Sequence, residues 1–254
     1  MNNEGLIPVR EVVEHADELF AKEDLAGAGE YLREWLLKAR RAGDPFGELG
    51  ILNELMGYYR RTGEREPGLN AVYDGFELIE RLDIDGSVSA GTTWLNGATT
   101  MKAFGNPRDA FIYYKKARRI YESRLERTDY RISGLYNNMA LCLADLGEYA
   151  DAESLYLEAL DILFSSARDG NLCDIAVTYM NLAYLYEAWN RPEKAVHSLD
   201  RCELAIRSNR LEQDGYYAFI CRKCSPGFMH FGRTSMAEEC DARADAIYSD
   251  NKKG

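Results

Sequence analysis

Gly63, Gly105, Gly147, Asn190 and Gly232 follow one another at intervals of 42, 42, 43 and 42 residues, by subtraction. Glycine and asparagine tolerate positive φ better than other residues, so this series marks one turn used repeatedly between helices. Neighbouring positions fall into the same register. Five residues after each turn stand Gly68, Ala110, Ala152, Ala195 and Ala237; twelve after it stand Gly75, Ala117, Ala159, Cys202 and Ala244. Small residues seven apart share a helix face, where they let another helix approach closely. Ahead of the turn, Leu52, Trp94, Tyr136, Tyr179 and Cys221 recur eleven residues back, and Tyr59, Met101, Leu143, Tyr186 and Phe228 recur four back. No such unit buries its apolar stripe alone; stacking on its neighbours makes a continuous core.

The order large-x2-apolar-small-x2-aromatic, turn, Ala-x3-aromatic resembles the tetratricopeptide repeat. Tyr179, Leu182, Ala183 and Tyr186 followed by Ala195 and Leu199 carry it, as do Tyr136, Met139, Ala140 and Leu143 followed by Ala152 and Tyr156. The period exceeds the usual 34 residues or so and is similar to the longer-helix variety of kinesin light chains. A first copy fits Val12, Ala16, Leu19, Ala28 and Leu32. The expected fold is all-α: a right-handed superhelical solenoid of about six helix-turn-helix hairpins, forming a single domain over 1–254. The hairpins are placed at about 8–43, 46–84, 87–127, 130–168, 172–209 and 214–249. The last helix carries Asp241 where other copies place Tyr114, Tyr156 or Leu199, a polar face that suits a terminal cap.

Composition bounds the function. The 254 residues are 46% hydrophobic and 29% charged, as expected of a folded, soluble chain. A formal charge of −11 argues against duplex nucleic acid, whose phosphates call for a basic face. No apolar run approaches the roughly 20 residues that span a bilayer. The start, Met1-Asn2-Asn3-Glu4-Gly5, lacks the basic and apolar segments of a secretory signal. Six cysteines in this length read as reduced thiols, and the expected location is cytoplasmic.

Catalytic motifs are missing. Ala26-Gly27-Ala28-Gly29 has neither the spacing nor the preceding strand of a phosphate loop, and the three histidines, His15, His197 and His230, form no zinc-protease pair. Cys221 and Cys224, with His230 and Cys240, have spacings that zinc can use. The register, however, puts both thiols on the core side of a first helix, where cysteine acts as a small hydrophobe. No metal or other cofactor is therefore expected. Pro226, inside the same predicted helix, implies a kink or break there.

Polar residues recurring inside the first helices are the candidate site. Asn96, Asn138 and Asn181 stand nine residues before the turn, with Asn53 one residue earlier in its copy and Asn137 beside Asn138. Asparagine is a mediocre helix-interior residue, because its side chain competes for backbone groups. The resemblance implies that this position lines a concave groove and hydrogen-bonds a bound peptide's backbone; the alternative is that each asparagine ties its helix to the adjacent repeat. Arg60, Lys102, Tyr184 and Glu187 lie further along the same face. The expectation is a non-enzymatic protein- or peptide-binding scaffold with no nucleic-acid or membrane partner, and with self-association through the solenoid ends as a further option. The alternatives are a bacterial-type sensor of a signalling peptide, or a metal or thiol protein built on Cys221 and Cys224.

Overall fold

The computed structural model describes residues 6–165, 171–208 and 210–251. Among them are twelve α-helices and no strand: α1 Val9–Ala21, α2 Leu25–Ala42, α3 Pro45–Thr62, α4 Arg65–Arg81, α5 Val88–Ala103, α6 Pro107–Arg124, α7 Tyr130–Asp145, α8 Tyr149–Ser165, α9 Asn171–Ala188, α10 Pro192–Ile206, α11 Gly215–His230 and α12 Thr234–Asn251. Consecutive helices pair as six hairpins of the tetratricopeptide kind. The hairpin ends expected at 168 and 209 fall outside the described residues, as does the segment 1–5; every other expected end lies within three residues of the observed one. No helix among the described residues is long and apolar enough to cross a membrane.

The helices begin and end for local reasons. Asp24, Asp44, Ser87 and Asp214 cap α2, α3, α5 and α11 by accepting from backbone N–H groups of the first turn. Pro45, Pro107 and Pro192 open α3, α6 and α10, where the missing N–H has no helical partner to lose. Each recurring turn residue has left-handed backbone: Gly63 (φ 76°), Gly105 (86°), Gly147 (81°), Asn190 (56°) and Gly232 (72°). The turn inferred from spacing is therefore one conformation used five times.

Residues Met1–Arg124 and Leu125–Gly254 form two compact units, each holding three hairpins. In the first, α3 and α5 pack side by side; in the second, α9 packs against α7 and α11. The core of both is the repeat register. Ala110, Ala117, Ala152, Ala159, Cys202, Ala237 and Ala244 have no accessible surface, and Trp94, Tyr114, Tyr136, Tyr156 and Leu199 fill the space beside them.

Two positions depart from the pattern and are compensated. At Asp241, Ser225 donates a hydroxyl bond of 2.9 Å and Arg222 an N–H bond of 3.0 Å, so the pair Ser225–Asp241 replaces the small–aromatic pair of other copies. Pro226 does not break its helix: α11 runs unbroken from Gly215 to His230. Pro226 lies on the exposed side, while Gly227 on the buried side lets α9 come close. A Cβ at Gly227 would stand 2.4 Å from Sδ of Met180.

Candidate functional site

In the first unit, Asn53 of α3 donates from Nδ2 to Oγ1 of Thr93 at 2.9 Å and to the Leu49 carbonyl at 2.8 Å. Asn96 of α5 donates to Oδ1 of Asn53 at 2.9 Å. The Asn53 carboxamide is thus used on both sides as a tie between hairpins, with fully buried Thr93 as its anchor. Among the described residues, the carboxamide oxygen and one N–H of Asn96 have no partner. Arg60, in the last turn of α3, donates from Nη1 to Oγ1 of Thr100 (2.8 Å) and to the Asn96 carbonyl (3.3 Å), and pairs with no carboxylate among the described residues. Burial lowers its pKa from the ordinary arginine value. Glu54, one residue after Asn53, has its pKa raised by burial and by the Asp17 carboxylate, against an opposing pull from Arg60. Lys102 is half-buried in the last turn of α5.

The second unit repeats the tie. Asn137 of α7 donates to Oγ1 of Thr178 at 2.9 Å and to the Ser133 carbonyl at 3.2 Å, and Asn181 of α9 donates to Oδ1 of Asn137 at 3.5 Å. Asn138, the expected member of the series, instead donates to the Gly134 carbonyl of its own helix at 2.9 Å. The asparagine that joins hairpins is therefore the one ten residues before the turn, meeting the one nine before the turn in the next hairpin. Thr93 and Thr178, the buried anchors, were missed from sequence. Their signal was legible, since both stand twelve residues before their turns.

Further along α9, Tyr184 and Glu187 meet residues of α11 that sequence reasoning did not assign to the site. Nε2 of His230 lies 2.8 Å and 3.0 Å from the two carboxylate oxygens of Glu187. Tyr184 packs on the His230 ring (5.4 Å between centroids) and on Phe231 (5.1 Å). Burial and the Glu187 carboxylate raise the pKa of the Tyr184 hydroxyl. At the other end of the same helices, the Tyr216 hydroxyl bonds to Asp174.

The cysteines lie apart from these polar groups. Cys142, Cys173, Cys202, Cys221, Cys224 and Cys240 are all buried within the second unit. The thiols of Cys202 and Cys224 are hydrogen-bonded, as are those of Cys221 and Cys240. Burial pushes the Cys173 thiol up to about 12, and the bond to Cys221 together with burial raises Cys240. Thiols raised in this way are poor ligands and nucleophiles, whereas the bond with Cys240 lowers the pKa of Cys221. Among the described residues, no three His, Cys, Asp or Glu side chains converge as a metal site would require. His230, a candidate fourth ligand from spacing, is engaged by Glu187.

Residues 131–203 match the tetratricopeptide repeat family model. Over 91 residues the chain is 34% identical to the regulatory protein RapK of Bacillus subtilis (strain 168), a match covering 35% of this chain and 23% of the relative; the likeness thus spans about a quarter of that protein. Among solved structures, BtubC (BKLC) from P. vanneervenii superposes with a TM-score of 0.67 at 23% identity, covering 78% of this chain and 79% of the other. The apo form of RapI superposes with a TM-score of 0.62 at 13% identity, covering 98% of this chain and all of the other. These structural likenesses speak to the fold.

Proposed function

We propose that this chain, which carries tetratricopeptide repeats, is a non-enzymatic scaffold that holds an extended protein or peptide segment against its first helices. The observation that carries the reading is the spare hydrogen-bonding capacity of Asn96, Asn138 and Asn181. Among the described residues, each carboxamide makes one donation within the protein, which leaves its oxygen and a second N–H for a ligand. A carboxamide matches a peptide bond donor for acceptor, so it reads backbone and leaves sequence preference to its neighbours. Arg60, Lys102, Tyr184 and Glu187 are those neighbours. Asn53 acts indirectly, by holding Asn96 in place.

A regulatory version of the same function is favoured by one specific observation, the 34% identity to a protein described as regulatory. In that version the held segment is a signalling peptide, and its binding changes what a third protein meets. A cytoplasmic location belongs to both versions of the proposal.

The test compares pull-downs from native extract using the wild type and an Asn138→Ala, Asn181→Ala double variant. Each neutral hydrogen bond contributes about 0.5–1.5 kcal/mol net. The double variant should therefore lose most of its bound partner while its thermal midpoint stays within a few degrees. Undiminished capture by a folded double variant would place the ligand elsewhere.

A further inference from the structure

Ring faces in this protein are commonly covered by the chain's own cations. Lys116 sits over Trp94 at 4.1 Å, Lys38 over Trp35 at 4.3 Å, Lys194 over Tyr186 at 5.1 Å and Arg191 over Trp189 at 5.3 Å. The cluster of Tyr184, His230 and Phe231 differs. Its rings are within 4.8–5.4 Å of one another, Tyr184 is 39% exposed, and no lysine or arginine among the described residues covers Tyr184 or Phe231. A carboxylate, Glu187, stands at its edge instead, with its side chain about half exposed. Other carboxylates of the second unit are held by permanent cations: Glu153 by Lys194, Asp200 by Arg233, Glu239 by Arg207 and Arg243, and Asp241 by Arg222. Among the described residues, Glu187 has only an imidazole.

We propose that Tyr184, Glu187, His230 and Phe231 form a receiving site for one lysine or arginine side chain of the bound segment. The chemistry is complementary on two counts. Aromatic faces attract a cation through the ring quadrupole, most strongly where water is partly excluded, and a carboxylate at the rim supplies the charge. His230 orients that carboxylate through Nε2 and closes one side of the site with its ring. The surrounding charges fix where the cation goes. Arg233 is neutralised by Asp200 and Glu203, and Arg191 lies over Trp189. Lys223 stands seven residues, about 10 Å of helix, before His230. It favours an acidic or neutral ligand group at that end, so the basic residue belongs at the Glu187 end. The net charge of −11 adds long-range attraction for a basic partner.

This inference rests on the groove reading above, and the experiment separates the two. A phage-displayed random dodecapeptide library is selected against the immobilised full chain and, in parallel, against Glu187→Gln and Tyr184→Leu. Thermal unfolding of each variant verifies its fold. We expect wild-type selection to enrich peptides sharing a lysine or arginine at one alignable position. We expect Glu187→Gln to lose that basic preference while still selecting peptides. One enriched peptide is then resynthesised with citrulline for arginine, or norleucine for lysine. This should weaken binding to the wild type by about tenfold, and to Glu187→Gln hardly at all. An unchanged basic preference in Glu187→Gln, or wild-type enrichment of acidic or purely apolar peptides, overturns the cation site and leaves the groove standing. Failure to enrich any peptide overturns both. A Tyr184→Leu variant that keeps the full basic preference removes the rings from the site and likewise overturns the proposal.

Discussion

Asn96 donates its side-chain N–H to the carboxamide oxygen of Asn53 at 2.9 Å, and the second unit repeats the contact between Asn181 and Asn137. Two asparagines are needed for each joint, one at each of two successive register positions. The asparagine series thus divides: Asn53 and Asn137 are bonded on both sides of their carboxamides, Asn96 and Asn181 each donate once into the joint, and Asn138 bonds only within its own helix among the described residues.

The first prediction follows from that division. Asn53→Ala removes the bonds to Thr93 and Asn96 and should cost about 1–2 kcal/mol. Asn138→Ala should be nearly neutral, because its bond is to its own helix and alanine is the better helix former. Urea denaturation of both variants decides the matter, and equal losses would mean that the asparagines are not divided in this way.

Tyr114 and Tyr156 occupy the same register position with opposite fates. The Tyr114 hydroxyl donates to Thr99 at 3.1 Å. In the next hairpin the place of Thr99 is taken by Leu141, and the buried Tyr156 hydroxyl has no partner among the described residues. An unsatisfied buried hydroxyl costs roughly 1–3 kcal/mol, so Tyr156→Phe should raise stability by about 1 kcal/mol while Tyr114→Phe lowers it. A melting midpoint for Tyr156→Phe below that of the wild type would contradict this.

Ala159 has no accessible surface. Enlarging it to leucine forces α8 away from its neighbours and should cost roughly 1–3 kcal/mol. An unaltered thermal scan for Ala159→Leu would show that the helices near it are not closely packed.

Glu54 provides a pH dependence. Its folded pKa is raised above the ordinary 4.5 by burial and by Asp17, so the folded state binds its proton more tightly than the unfolded state does. Its contribution to stability is therefore fully present below about that pH and declines as pH rises through the folded pKa. Glu54→Gln removes the ionisation and should gain stability relative to the wild type at pH 8 but not at pH 4. A difference between the two proteins that does not grow with pH between those limits would refute the assignment.

The hairpins were readable because each is marked by constraints that few residues satisfy. Positive φ selects glycine or asparagine at the turn, and close helix approach selects alanine, glycine or cysteine at Ala110, Gly75 and Cys202. The polar joint was less readable. Asn137 and Asn138 are adjacent in sequence but about 100° apart around the helix, and only neighbouring atoms decide which of them meets Asn181. His230 was weighed only as a metal ligand and Phe231 not at all, because they belong to the last turn of α11 and its cap, outside the register compared. Their meaning comes from Tyr184 and Glu187, some 43 residues earlier. Pro226 was expected to disturb α11 on helix chemistry alone. Its exposed position, and Gly227 beside it, depend on how α9 lies against that helix.

Five of the six thiols of the second unit give the protein a built-in clock. Cys173, Cys202, Cys221, Cys224 and Cys240 are shielded by the helices of its last two hairpins, α9 to α12, and react with an alkylating reagent only while those helices part. Timed modification read by peptide mass would therefore report how often these hairpins open, without any introduced label. A ligand held across α9 and α11 would slow the clock by closing them together.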